Sequence, residues 1–234
     1  FSNDEGSENT FIGRNAGTMN EGNNNTFLGS HAGASNTSGN LNTFVGRQAG
    51  EANTTSSSNT FIGQRAGLFN TEGEQNTFLG SAAGISNVNG YANTLLGSSA
   101  GNSNTSGDYN VLIGFLAGSA NETGKNNTFI GSAAGFLNLG ADNNTFIGRN
   151  AGTSNRDGFN NTFVGYGAGD ENFGAGGNTF IGSDAGGANV NGTGNVFVGR
   201  NAGVLNTHDN NTFIGSEAGN TNTTGQGNTF IGRN

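Results

Sequence analysis

The sequence of 234 residues predicts an all-β chain wound as a β-solenoid of about 14 coils, each of 17 and occasionally 16 residues, in a single repeat domain over 1–234. Three observations predict it. A phrase of the form Asn-Thr-Phe-Ile-Gly returns along the whole chain at that fixed period. Glycine and asparagine recur at fixed places inside each copy. Proline is absent, as expected where most backbone N–H groups join ladders between coils.

The period is set by the residue before the aliphatic. It is Phe11, Phe27, Phe44, Phe61 and Phe78, then Leu95 and Leu112, then Phe129, Phe146, Phe163, Phe180, Phe197, Phe213 and Phe230. The two short intervals lose a residue in the polar stretches "NEGNNNTF" and "NTHDNNTF", which marks those stretches as loops. A fixed period of this size signals stacked layers, one per copy. Helical layers are excluded, because a helix pair needs about 30 residues and glycine recurs too often within each copy.

Each invariant column implies a physical role. Gly13 and its equivalents through Gly232, and Gly17 and its equivalents, sit at corners where positive φ or close backbone approach is expected. The alanine before the second glycine needs a small side chain, which points it into a narrow interior. Two asparagine columns are unbroken. One opens the strand (Asn9, Asn25, Asn42, Asn59 and onward), and the other follows the Ala-Gly corner (Asn20, Asn36, Asn53, Asn70 and onward). Amides stacked one coil apart can hydrogen-bond up the column, so both are expected to be structural ladders.

The strand itself carries two apolar columns. Side chains alternate along a strand, so the Phe column points one way. The Thr column (Thr10, Thr26, Thr43, Thr60, Thr77, Thr128, Thr145, Thr162) and the aliphatic column (Ile12, Ile62, Ile113, Ile130, Ile147, Ile181, Ile214, Ile231, with Leu or Val elsewhere) point the other. One set fills the interior and the other forms an outer stripe. Which set faces inward stays open on the sequence; large-small packing of Phe against the Ala column favours Phe. Coils stacked about 4.8 Å apart would make a rod roughly 60 Å long, and an apolar stripe of that length needs a cover. The Thr column turns to valine only at Val111 and Val196, which keeps the shape and drops the hydroxyl. Three covers are conceivable: copies of the same chain around an axis, an ice surface docked on the Thr-x-aliphatic methyls, or side-by-side packing into filaments. A closed oligomer, a homotrimer, is expected first.

Composition narrows the function. The net charge is −8, with 16 acidic and 8 basic residues, and no basic patch that would bind nucleic acid. Cysteine is absent, so no disulfide framework or thiolate metal site is expected. No apolar run approaches a membrane span, and the opening residues do not read as a signal peptide. The chain starts and stops partway through a repeat, so a slice of a longer protein is expected.

Chemistry is hard to find. His31 and His208 sit among varied polar residues with no nucleophile in a matching column, so no catalysis, cofactor or metal is expected. Acidic residues such as Glu51, Asp108, Asp142, Asp170 and Glu171 read as scattered over different columns. A corner column alternates Arg14, Arg47, Arg149, Arg200 and Arg233 with serines, Phe115 and Tyr166, and reads first as a solvent-facing corner, with a receptor-facing or interchain stripe as the alternative. Leu68-Phe69, Phe136-Leu137 and Val204-Leu205 recur every fourth coil, which points to duplication first, or to a contact repeating about every 19 Å.

The grammar seen in "NTFVGRQAGEANTTSSSNTFIG" and "NTFIGRNAGTSNRDGFNNTFVG" resembles repeats of bacterial and phage tail-fibre-like proteins that end in an endosialidase-type chaperone domain. More distantly, it is similar to the head repeats of trimeric autotransporter adhesins. The resemblance implies a trimeric β-solenoid at a cell surface or on a fibre, used for reach and attachment to a receptor. It departs from the adhesin pattern in its longer period and its adjacent bulky apolar residues. The expected function is a structural or adhesive extracellular fibre shaft. The alternatives are an ice-binding solenoid that uses the Thr-x-aliphatic face and a self-assembling surface filament.

Overall fold

The computed structural model describes residues 6–233. Its contacts divide the chain into two compact units, Phe1–Leu116 and Ala117–Asn234, and both are parallel β-solenoid. No helix occurs among the described residues. The first unit holds β1 (Thr10–Ile12), β2 (Thr26–Leu28), β3 (Thr43–Val45), β4 (Thr60–Ile62), β5 (Thr77–Leu79), β6 (Thr94–Leu96) and β7 (Val111–Ile113). The second holds β8 (Thr128–Ile130), β9 (Thr145–Ile147), β10 (Thr162–Val164), β11 (Thr179–Ile181), β12 (Val196–Val198), β13 (Thr212–Ile214) and β14 (Thr229–Ile231).

Within each unit every strand pairs in parallel with the next, identical position on identical position, as in Phe27↔Phe44 and Phe163↔Phe180. The shortened coils keep that register: Thr10 pairs with Thr26 and Val196 with Thr212. The missing residue is therefore taken out of a turn, as the sequence predicts. Strands of three residues are too short to stand alone. What fixes them is that each lies on the next coil and is held at both ends by turns that also bond from coil to coil, such as Gly29 N–H to Ile12 C=O and Gly17 N–H to Ala32 C=O.

The orientation left open by the sequence is resolved: Phe faces inward. Phe27, Phe44, Phe61, Phe78, Leu95, Leu112, Phe129, Phe146, Phe163, Phe180, Phe197 and Phe213 are fully buried. Only Phe11 and Phe230, in the terminal coils, are partly open. The rings stack: the centroids of Phe27 and Phe44 lie 4.9 Å apart with planes 6° from parallel, and those of Phe180 and Phe197 lie 4.8 Å apart at 4°. Planes that close to parallel with centroids a full coil spacing apart are offset-stacked, each pair adding about 0.5–1.5 kcal/mol beyond burial. The opposite wall explains why the small columns are small. Ala16 and its equivalents are buried, and a Cβ built on Gly33 would stand 2.5 Å from the Phe27 ring. The other glycine corner meets backbone instead: a Cβ on Gly29 would lie 2.4 Å from the carbonyl oxygen of Gly46.

Both asparagine columns are buried ladders, but they work differently. In the strand-opening column the side chain serves the backbone of the next coil. The N–H of Asn42 donates to Oδ1 of Asn25 at 2.9 Å, and that of Asn59 to Oδ1 of Asn42 at 3.0 Å. Nδ2 of the same residues crosses the coil to a turn carbonyl, Asn25 to Gly39 and Asn42 to Ser56. The second column is amide on amide: Nδ2 of Asn36 donates to Oδ1 of Asn20 at 2.6 Å, and Nδ2 of Asn53 to Oδ1 of Asn36 at 2.7 Å. Most of these asparagines thus use the donor and the acceptor of one side-chain amide together. The pattern slips where His208 stands in a column held elsewhere by Gly, Ser or Ala. Nearby, Asn195 Nδ2 and Asn189 Oδ1 are buried without a partner, whereas Asn9 Nδ2 in the other short coil reaches Gly22 C=O at 2.8 Å.

Two further turn positions carry side chains in the left-handed region, for example His31 (φ 62°), Leu41 (φ 60°) and Ala82 (φ 57°). Leu41 is exposed, so its side chain contributes little packing to set against the strain. A non-glycine residue there costs about 1–2 kcal/mol, partly offset because glycine loses more freedom on folding. Leu41→Gly is therefore expected to raise stability by about 0.5–1 kcal/mol, read as a higher denaturation midpoint.

Candidate functional site

With the Phe column inside, the outer side of each strand is a Thr, or Val at Val111 and Val196, and an aliphatic residue. In the first unit the pairs run from Thr10 and Ile12 through Thr26, Thr43, Thr60 with Ile62, and Thr77, to Val111 with Ile113. In the second they run from Thr128 and Ile130 through Thr145 with Ile147, Thr162, Ile181 and Ile214, to Ile231. Neither column holds a charged residue anywhere in the chain. Several of the aliphatic side chains are well exposed even in inner coils, Leu79 45%, Ile147 38% and Ile181 41%, and the others, such as Val45 and Ile113, are half-buried. An isolated exposed isoleucine needs no explanation, but identical ones on consecutive strands form a contiguous apolar stripe. Its repeat is the coil spacing, which the Phe centroids give as 4.8 Å on the other side of the same strands.

The remaining outer columns differ from this face in carrying charge or bulk. The arginine column is a corner, as expected: Arg14, Arg47, Arg149 and Arg200 are exposed. Arg149 lies over the Tyr166 ring at 5.8 Å, and Arg200 is ion-paired with Glu217. Phe69 and Leu205 of the four-coil pattern also point outward. His31 and His208 sit at turns, bonded to Asn15 and Ser30 and to Thr207 and the Thr223 carbonyl respectively. Among the described residues, no group of three or more His, Asp or Glu side chains is placed to hold a metal ion, and no helix is long and apolar enough to cross a membrane.

One reading of the acidic residues needs correction. Asp108 and Asp142 are not scattered: they share a turn column with Asn23, Asn40, Ser57 and Asp209. In that column each side chain accepts the backbone N–H one coil earlier. Tyr91 N–H donates to Asp108 at 3.0 Å, Lys125 N–H to Asp142 at 2.7 Å, and Asn23 N–H to Asn40 at 2.7 Å. This third, broken ladder was legible as a short acceptor two residues before the strand-opening asparagine, in "NNN", "NLN", "SSN" and "DYN". Any of Asn, Asp or Ser can accept there, so the column shows no single letter.

Among the described residues, Asp170 is the one carboxyl with a marked shift. Burial, and then the charges of Glu171 and Asp184, push it from 3.8 up to about 6. A raised folded-state value means that protonation favours the fold. The contribution is complete below about pH 4 and is lost as pH rises through 6. Asp170→Asn is expected to raise the melting temperature at pH 7 and to leave it unchanged at pH 3.5. Melting curves of both proteins across that range check this.

What this surface can do is bind by shape and apolar contact, in a row, with a fixed repeat. No protein-family model, no curated protein and no solved structure matches the chain.

Proposed function

We propose that this chain is a structural module of an extracellular or cell-surface fibre, a shaft or adhesive head that acts without catalysis. Its stacked coils provide length and stiffness. Its Thr-aliphatic face is covered by other copies of the chain. Three copies around an axis is the arrangement implied by the resemblance to fibre repeats, and the variable corner residues, such as Arg47 and Tyr166, are where a receptor would touch. One observation carries this reading: two adjacent outer columns are free of charge from end to end, and the aliphatic one is left substantially exposed by its own coil.

Light-scattering mass across a range of concentrations tests it. The wild-type chain should show a mass above that of a single copy. Ile130→Asp combined with Ile147→Asp should give a monomer with an unchanged circular-dichroism spectrum, because both side chains point away from the core. A wild-type chain that remains a monomer at every concentration would contradict the proposal.

A second reading is favoured by the in-register Thr rows. The hydroxyl and methyl of each Thr, with the neighbouring aliphatic methyl, repeat at each coil on a surface that could dock on ice. Thermal hysteresis from a monomeric chain, abolished by Thr145→Lys, would select that reading over the fibre.

A further inference from the structure

The surface proposed to bind other copies lacks any feature that would fix how far one copy is shifted along another. We infer that the Thr-aliphatic face pairs with the same face of a second copy at several axial offsets, each a whole number of coils, so that association is staggered and open-ended. This inference rests on the self-association reading and puts an open, staggered contact in place of a closed ring of three copies.

Four observations support it. First, strands pair identical on identical within each unit, so the face repeats at every coil, even where the coil is one residue short. A shift by one coil therefore sets Thr and aliphatic methyls against partners of the same kind. Second, the differences along the stripe are only those among Ile, Leu and Val and between Thr and Val. Selecting one register requires a clash or an unpaired charge in the wrong ones, and these two columns contain neither; weak patterning of this sort is where registers slip. Third, the features that could fix a register, such as Arg47, Phe115 and Tyr166, occupy the next corner and not the strand.

Fourth, the area decides the occupant. Seven strands about 4.8 Å apart and about 10 Å wide make a stripe of about 300 Å² per unit. The two units of a chain together offer about 600 Å², which only reaches the low end for one partner in a specific interface. A second copy is the partner that can use the stripe of each unit, since its own stripes have the same width, repeat and apolar character, and matching side chains can interdigitate without trapping water. In a staggered assembly the overhang of one copy is covered by a third, so no contact is lost by the offset. A contact that does not close on itself grows.

Cysteine cross-linking reads the offsets directly, because the chain has no cysteine of its own. Ile130→Cys, Ile147→Cys and Ile181→Cys place thiols on the outer face of the second unit at three coils. Each variant is oxidised alone and in pairwise mixtures of full-length chains, after its circular dichroism has been matched to wild type, and the linked peptides are identified by mass. The expected result is that each position links to at least two others, with yields within about threefold of one another, and that particle mass rises steadily with concentration. A single partner position for each thiol, with a fixed mass, would overturn the slipping register while leaving self-association intact. Absence of cross-links from a chain that stays monomeric would overturn both, as would thermal hysteresis from that monomer.

Discussion

Replacing Phe163 by alanine is expected to cost about 4–5 kcal/mol and to loosen the whole second unit. The ring is fully buried. It stacks on Phe146 and on Phe180 with centroids 4.8 Å away on each side and planes within 6° and 5° of parallel. It also rests on Gly169, whose added Cβ would come within 2.5 Å of it. Truncation loses the transfer free energy of a phenyl ring, about 3–5 kcal/mol with its cavity, together with two stacking contacts. The coil cannot collapse into the gap, because its backbone is bonded to the coils above and below. Phe163→Leu is the internal control. Leu95 and Leu112 already occupy this column, fully buried, so leucine should cost no more than about 1.5 kcal/mol. Urea denaturation, with hydrogen exchange to locate the opening, measures both. Solenoids unfold coil by coil when their cooperativity fails, so the exchange data should show Asn161 to Asn178 opening first. Alanine and leucine variants of equal stability would contradict the stacked core.

The second large effect is Asn161→Asp. Asn161 Oδ1 accepts from Asn178 N–H at 2.9 Å, while its Nδ2 donates to Ala175 C=O at 2.8 Å and to Asn155 Oδ1 at 3.2 Å. Aspartate keeps the acceptor and loses the donor. It turns a negative oxygen toward two other oxygens in a site without solvent. Breaking a buried polar arrangement so as to leave an uncompensated charge costs about 3–5 kcal/mol. Asn161→Ala should cost less, about 2–3 kcal/mol, chiefly for the orphaned N–H of Asn178. The order Asp worse than Ala at pH 7 should narrow on acidification, because protonation removes the charge and restores a donor. Denaturation at pH 7 and pH 4 checks both the order and its pH dependence. An aspartate variant as stable as wild type at pH 7 would contradict a dry ladder.

Much of this fold is legible in the letters because each column does one job at every coil. Where only one residue type satisfies the site, the letter is invariant. Glycine at Gly29 faces a carbonyl one coil away, alanine at Ala32 faces the interior, and asparagine at Asn25 must accept and donate at once. Where several types satisfy it, the column disappears from view. The turn acceptor at Asn40, Ser57 and Asp108 is one such place, and the left-handed position of His31 and Ala82 is another, since a backbone conformation leaves little trace when the side chain points to water. The inward face was ambiguous for a different reason. Phe and Ile are both apolar, and alternation alone cannot say which side of a three-residue strand is inside; the opposite wall of Ala and Gly decides it. The cover proposed for the outer stripe would come from a second molecule, and one chain's letters describe only half of such a contact.

The central claim is that each strand hides its middle residue, Phe or in two coils Leu, within its own coil and presents Thr or Val and an aliphatic residue to another copy. Methyl and aromatic NMR with a soluble paramagnetic probe tests this most directly, and the likeness of the coils becomes an advantage because each column reads out as a group. At high dilution the outer isoleucine methyls should be strongly relaxed by the probe and the Phe rings of inner coils should not. At high concentration the isoleucine methyls should become protected as well. Phe rings open to the probe, or isoleucine methyls equally open at every concentration, would contradict the account.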